Sequence, residues 1–384
     1  MRDDLGAFVA GPRVTAAGAA TGPLAGWTFA AKDLFDVQGH VTGCGNPDWA
    51  RTHTAAGSTA WCVQRLLDAG ATLVGKTVTD EISLGLLGIN RFDGTPINPR
   101  APGRVAGGSS SGSAAAVAGG LADVALGTDS GGSVRIPSSF TGLYGLRPTH
   151  GAIPVDGLMT QSPSFDTVGF FAADAARLLA LGRVLLPPGT DTRFDELLVA
   201  TDAFALADAV VRDGLQPAVQ RIGLATRDVT LAPEGILEWC RQQRLLQSFE
   251  FGRTFADWVD RTNPRFSLEV ARSLVGAAAV QHLDLGEARA VRAQATARLE
   301  SLLGSNRLLC LPTAPVLPIR RDASLSEMGA ACDRIIELTC IAGLAGLPQI
   351  NLPWAQTADG IPIGLSLIGP RGSDLALLAW AAAH

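Results

Sequence analysis

The sequence predicts an α/β fold, and three observations carry that reading. Residues 27–76 alternate strand, helix and strand. The tail from Leu347 to Pro370 holds alternating apolar runs that fit two more sheet strands. Hydrophobic residues make up 47% of the 384 and charged ones 17%, enough apolar material for a deep core.

The elements follow in order. Trp27 to Val37 reads as a strand entering a loop, with Lys32 delivered at the end of an apolar stretch. Residues 58–70 read as a helix whose stripe is Trp61, Val63, Leu66 and Leu67, stopped by Gly70. Ala71 to Gly75 reads as a short buried strand with Lys76 on its C-terminal side. Residues 94–112 form a long Gly-, Pro- and Ser-rich loop, which inside a compact domain points to function or disorder. Ala114 to Leu121 reads as a small-residue helix. Val124 to Leu126 reads as a strand feeding a second Gly/Ser turn at 127–133. A short helix and a strand fit 134–148, and a helix fits 172–186. Residues 233–304 are helix-rich and more charged, with the best amphipathic pattern at 284–303. Leu308 to Leu311 reads as a strand ending at Pro312, and Ser324 with Glu327 matches a capping box before another helix. No internal repeat interrupts the chain, and no boundary splits it cleanly.

Composition narrows the function classes. Net charge is 31 − 36 = −5, so no basic excess is available for phosphates and nucleic acid is not the expected partner. No apolar run reaches the roughly 18 residues of a membrane span, and no membrane partner is expected. Met1-Arg2-Asp3-Asp4 lacks the shape of a signal peptide. Cysteines 44, 62, 240, 310, 332 and 340 form no CxxC pair, which predicts reduced thiols and a cytoplasmic protein. HExxH, EF-hand, P-loop and helix-opening GxGxxG patterns are absent, and no two of the five histidines have helix-borne metal spacing. No metal and no cofactor is therefore expected.

Of the 31 basic side chains, 29 are Arg and two are Lys, Lys32 and Lys76. Arg keeps its proton in a protein, whereas a desolvated Lys can lose it. Either lysine is thus a candidate for proton chemistry or for a tight structural ammonium site.

Two Gly/Ser turns stand out. Gly108-Ser-Ser-Ser-Gly112 formally matches the GxSxG nucleophile elbow, but the residues before it, 102–107, are no hydrophobic strand, so that reading fails. Read together, Gly107–Ser113 and Asp129–Ser133 supply hydroxyls beside successive backbone N–H groups. Acyl transfer needs that combination: one group attacks a carbonyl while others hold the oxyanion. Phosphate cradling and plain loops remain alternatives on these residues alone.

Three ordered segments are Gly107-Gly-Ser-Ser-Ser-Gly-Ser-Ala-Ala-Ala-Val117, Gly127-Thr-Asp-Ser-Gly-Gly-Ser-Val-Arg-Ile-Pro137 and Gly145-Leu-Arg-Pro-Thr149. With Ala31-Lys32-Asp33, Gly75-Lys76-Thr77 and 164–169, they resemble the amidase signature family. The likeness touches 27–170 and 308–370, with 171–307 as a variable helical region. Gly43–Trp49, Arg51-Thr-His53 and Arg147–Ala152 are most similar to the indole-3-acetamide amidases of that family.

The resemblance implies one α/β/α domain over 1–384, with a large twisted mixed sheet covered by helices on both faces. Its signature core would span about 27–170, its variable helices 171–307 and its C-terminal part 308–384. It implies a Ser–cis-Ser–Lys triad, here Ser133 as nucleophile, Ser109 as bridge and Lys32 as base, with a cis peptide at Gly108–Ser109. Ser130, Gly131, Gly132 and Ser133 would supply backbone donors to the oxyanion. Ser110, Asp129 and Arg135 would support the site by shaping its turns. Lys76 is expected in a structural ion pair. Thr141 stands where the family commonly has cysteine, a local packing change. The implied reaction is hydrolysis of a small carboxylic amide to acid and ammonia. Alternatives are ester or hydrazide cleavage, an amidotransferase subunit, or a non-catalytic amidase-like binding protein. Homodimer assembly stays open.

Overall fold

In the strand Arg307–Pro312, Leu308 and Cys310 join one apolar cluster while Leu309 and Leu311 join another. Leu197 and Leu198 part in the same way. Side chains alternate across a strand, so both faces of the sheet are covered. The computed structural model describes residues 2–189 and 192–384.

The chain opens with β1 (Thr28–Lys32), α1 (Pro47–Thr52), α2 (Trp61–Asp68) and β2 (Thr72–Thr77). It continues through α3 (Ser111–Ala118), β3 (Val124–Asp129), α4 (Arg135–Thr141), β4 (Tyr144–Arg147) and β5 (Thr167–Ala172). The middle holds α5 (Ala175–Leu185), β6 (Glu196–Ala200), α6 (Thr201–Ala205), α7 (Ala209–Arg221), β7 (Ala225–Val229), α8 (Ile236–Thr262), α9 (Leu268–Ala279) and α10 (Gly286–Leu303). Last come β8 (Arg307–Pro312), α11 (Leu325–Ala345), β9 (Gln349–Gln356), β10 (Pro362–Ile368) and α12 (Asp374–Ala383).

Among the described residues, ten strands form one sheet in the order β2-β1-β3-β5-β4-β9-β10-β8-β6-β7. The pairs β2–β1–β3 and β8–β6–β7 are parallel, and those between β3 and β8 are antiparallel. One face packs on Leu66 of α2, Leu178 and Leu181 of α5, Leu215 of α7 and Leu377 of α12. The other packs on Trp239 of α8, Leu299 of α10 and Leu338 and Ile341 of α11. This is the expected single α/β domain with a large mixed sheet.

Most boundaries fall near the sequence expectations. The capping box is present: Ser324 Oγ accepts from Glu327 N (3.3 Å), and Glu327 accepts from Ser324 N (2.8 Å). Two differences bear on the site. Lys76 lies inside β2, not after it, and the middle region carries two strands as well as helices. The edge strand β7, Ala-Thr-Arg-Asp-Val, buries only Val229, so no apolar alternation announces it.

Leu365, fully buried at the centre of β10, should lose about 2–5 kcal/mol of stability as Leu365→Ala. Val275→Ala, at a position 72% exposed, should stay within about 0.5 kcal/mol of wild type. Urea midpoints at unchanged m-value check both.

Candidate active site

The first strand carries Lys32 into the interior. Lys32 ends β1 beside Thr77 of β2, one residue past the Ala31–Leu126 pair with β3, and it is wholly buried. Its Nζ lies 2.7 Å from Ser109 Oγ, 2.7 Å from Thr128 Oγ1 and 3.1 Å from Ser83 Oγ. Loss of hydration lowers the Lys32 pKa from 10.5 to about 7, against the opposing pull of Asp80, Asp129 and Asp166. Such a group exchanges its proton near neutrality.

Ser109 follows a cis peptide bond from Gly108 and stands just ahead of α3. A Cβ on Gly108 would lie 2.4 Å from Asp80 Oδ2 and 2.5 Å from the Gly88 nitrogen, so only glycine allows that approach. Ser110 secures the loop on two sides. Its Oγ accepts from Thr128 N (3.2 Å), and its N–H donates to Ser133 O (3.3 Å). The second contact sets the Gly/Ser loop against the Ser133 turn.

That turn is built around Asp129, at the end of β3. The carboxylate accepts from the N–H groups of Gly132 (3.0 Å), Val134 (3.0 Å) and Arg135 (3.2 Å). The Arg135 guanidinium grips it in a fork, at 3.0 Å from Nε and 2.7 Å from Nη2. Arg147 Nη1 adds a bond of 3.1 Å to Oδ1 and one of 2.6 Å to the Asp129 carbonyl. All three side chains are fully buried. Burial alone would push the Asp129 carboxyl up, but the two guanidiniums and the N–H donors hold it well below the usual carboxylate range. Arg135 reaches on to Thr339 O (2.7 Å) in α11 and Gln349 Oε1 (2.8 Å) in β9.

Ser133 lies in this turn, 6% exposed. Its neighbour Gly132 has φ 128°, and a Cβ there would lie 2.8 Å from Thr339 Cγ2. Thr339 Oγ1 in turn donates to Gly131 O at 2.6 Å. Ser130 Oγ donates to Asp166, a carboxyl that burial pushes up. The Gly132 N–H, expected among the oxyanion donors, donates to Asp129 Oδ1 at 3.0 Å.

Lys76 makes an ion pair with Asp33 at 2.6 Å and donates to Thr42 Oγ1 at 3.0 Å, with both charged groups buried. The ion pair expected of Lys76 is therefore present. Asp129 and Arg135 together hold the turn that carries Ser133. Thr141 Oγ1 bonds Pro137 O at 2.6 Å within α4. The sequence reading missed Ser83, Thr128, Asp80 and Arg147. Thr128 and Arg147 stood inside the quoted segments but carried no role there. Among the described residues, no group of three or more His, Cys, Asp or Glu side chains could hold a metal ion. No helix among them is long and apolar enough to cross a membrane.

A mixed α/β sheet whose buried lysine meets a serine loop, itself bonded to a glycine-rich serine turn, is the frame of a class of hydrolases. The chain belongs to the amidase family, whose model, described as Amidase, matches residues 10–209 and 244–378. It is accordingly an amidase-family hydrolase of C–N amide bonds. The chain is 37% identical to Amidase 1 of Arabidopsis thaliana over 413 residues, covering 98% of this chain and 97% of that one. It is 33% identical to Outer envelope protein 64, chloroplastic, of the same plant, covering 98% of this chain and 70% of that protein. A crystal structure of an amidase superposes with a TM-score of 0.83 at 30% identity, over 94% of this chain and 84% of that one.

Asp129→Asn should cost about 3–5 kcal/mol, because it leaves two buried guanidiniums without their anion. The folded-state value of Asp129 lies below the unfolded one, so its stabilisation is full above about pH 4 and fades as the pH falls further. Denaturant titrations of wild type and variant at pH 7 and pH 3 should show their gap narrowing in acid.

Proposed function

We propose that the chain hydrolyses a small carboxylic amide, an aryl or indolyl acetamide, to the acid and ammonia. Ser133 is the nucleophile, and Ser109 and Lys32 relay its proton. The observation that carries this reading is the fully buried Lys32 amine, 2.7 Å from Ser109 Oγ.

Neutral Lys32 accepts the Ser109 hydroxyl proton as Ser109 takes that of Ser133. Ser133 Oγ then bonds to the carbonyl carbon, and the C=O electron pair moves onto oxygen. The N–H groups of Gly131 and Ser133, with that of Ser130 beside them, stabilise the oxyanion. Gly132 serves the same end indirectly, through its bond to Asp129. When the C–N bond breaks, the Lys32 proton returns through Ser109 to the leaving nitrogen. Water then attacks the acyl ester on Ser133 by the same relay and releases the acid. No step draws on a metal or cofactor.

An aromatic core cluster lies beside Ser83. Ile82, next to Ser83, packs in a cluster with Phe251, Phe255 and Trp258, and Trp49, Leu84 and Met159 border it. Trp49 and Trp258 meet edge to face, with centroids 4.9 Å apart. Phe251, Phe255 and Trp258 are buried in this cluster, so the aryl or indolyl acetamide reading rests on the likeness of Gly43–Trp49 and Arg147–Ala152 to the indole-3-acetamide amidases.

Ammonia release from a panel of primary amides, indole-3-acetamide included, tests the proposal. Wild type should turn over, and Ser133→Ala should be inactive. Lys32→Arg should lose about 10²–10⁴ in rate, since a guanidinium does not give up its proton. A folded wild type silent across the panel, or an active Ser133→Ala, would overturn it.

Because the amine must be neutral to accept a proton, kcat/KM should rise with pH through about 7, the Lys32 value. A pH–rate profile between 5 and 9 checks this, and a flat profile would count against Lys32 as base.

A further inference from the structure

Ser83 is buried, with 4% exposure, and its Oγ lies 3.1 Å from Lys32 Nζ and 3.0 Å from Ser109 Oγ. It reaches that place through an unusual backbone. Ile82 has φ 42° and Ser83 φ 61°, a left-handed pair with no glycine. The turn is held from several sides. Ser83 N–H donates to Asp80 O (2.9 Å) and Ile82 N–H to Cys44 O (2.8 Å). The neighbouring Glu81 carboxylate accepts from Asn46 Nδ2 (2.7 Å) and from Ser267 N (3.0 Å). Ile82 is itself packed among Phe251, Phe255 and Trp258. A backbone so disfavoured, and so heavily secured, places one hydroxyl on the amine.

We propose that Ser83 is a positioning residue for Lys32: its hydroxyl completes a three-oxygen cage that aims the amine lone pair at Ser109 and stabilises the ammonium formed during reaction. This rests on the proton relay proposed above.

The count of donors explains the role. A neutral lysine amine has two N–H groups and one lone pair. With Thr128 and Ser83 accepting the two N–H groups, the lone pair is left for the Ser109 O–H. Without Ser83 the amine can turn about its Cε–Nζ bond, and the lone pair loses its aim. The ammonium has three N–H groups, and three oxygens accept all of them. In a fully buried site an N–H left over has no water to turn to. Ser83 therefore favours the charged form and raises the basicity that burial lowers. The other groups facing Lys32 are the carboxyls of Asp80, Asp129 and Asp166 and the Cys44 thiol. A change at Ser83 leaves all four in place.

The test uses the composition of the chain. With only Lys32 and Lys76 present, full-length protein labelled with 13C at lysine Cε gives two resonances, and the one lost in Lys32→Arg belongs to Lys32. Ser83→Ala removes the hydroxyl and keeps the backbone strain, whereas Ser83→Gly removes the hydroxyl together with the strain at residue 83. In each, the titration midpoint of Lys32 should fall by about one pH unit. The acid limb of kcat/KM should fall with it, and kcat on the amide used for wild type should drop about tenfold at nearly constant KM. An unmoved Lys32 midpoint in both folded variants would overturn the Ser83 role even with Ser133→Ala inactive. Full activity in Ser133→Ala would instead overturn the relay, and the role of Ser83 in it.

Discussion

The Asp129 carboxylate is the constraint on which the rest of the site depends. Its two oxygens take three backbone N–H groups and two guanidiniums, with no exposure to water. A buried anion survives only when it is matched this fully. The match also has reach. Arg135 carries it to α11 and β9, and Arg147 carries it to β4 and the carbonyl of Phe165. The centre of the sheet, the helix behind it and the serine turn are thus set by one cluster of charge. The second guanidinium gives the cluster a net positive character beneath the turn, which is the sign an oxyanion needs.

A different balance governs Lys32. Desolvation weakens its hold on the proton, and Asp80, Asp129 and Asp166 partly restore that hold. Asp80 sits in the mirror position: burial pushes it up to about 7, against the Gly88 N–H and Lys32. One Asp80 oxygen has no hydrogen-bond partner, so the group gains little from being charged. Two groups whose pKa values burial moves toward neutrality therefore flank the cis peptide at Gly108–Ser109. The hydroxyls of Thr128, Ser109 and Ser83 let the lysine change charge with little rearrangement, because a hydroxyl both donates and accepts.

Much of this was legible in the sequence because it is local. Glycine and serine spacing marked both loops, and β1 and β2 could be read from apolar runs that end at or carry a lysine. The charge-rich strand β7 escaped notice because a solvent-facing edge need not alternate. Ser83 escaped for another reason. Its left-handed backbone would ordinarily be signalled by glycine or asparagine, and here the residues are isoleucine and serine. Tertiary contacts from Cys44, Asn46, Ser267 and the aromatic cluster hold that turn. Those contacts join residues far apart in the chain, so no window of sequence contains them.

The two lysines show how an almost all-arginine cation set divides its work. Lys76 faces Asp33 at 2.6 Å and fits a single carboxylate and one hydroxyl, a compact point-charge role. Lys32 faces three neutral oxygens and no carboxylate within ion-pair distance. A guanidinium at Lys32 would bring five fixed donors to three acceptors, and it could not shed its charge. At Arg135 and Arg147 the logic reverses: several acceptors at fixed angles call for a planar fork that stays charged. The choice of cation at each position therefore follows from whether its partners require a permanent charge or a removable one.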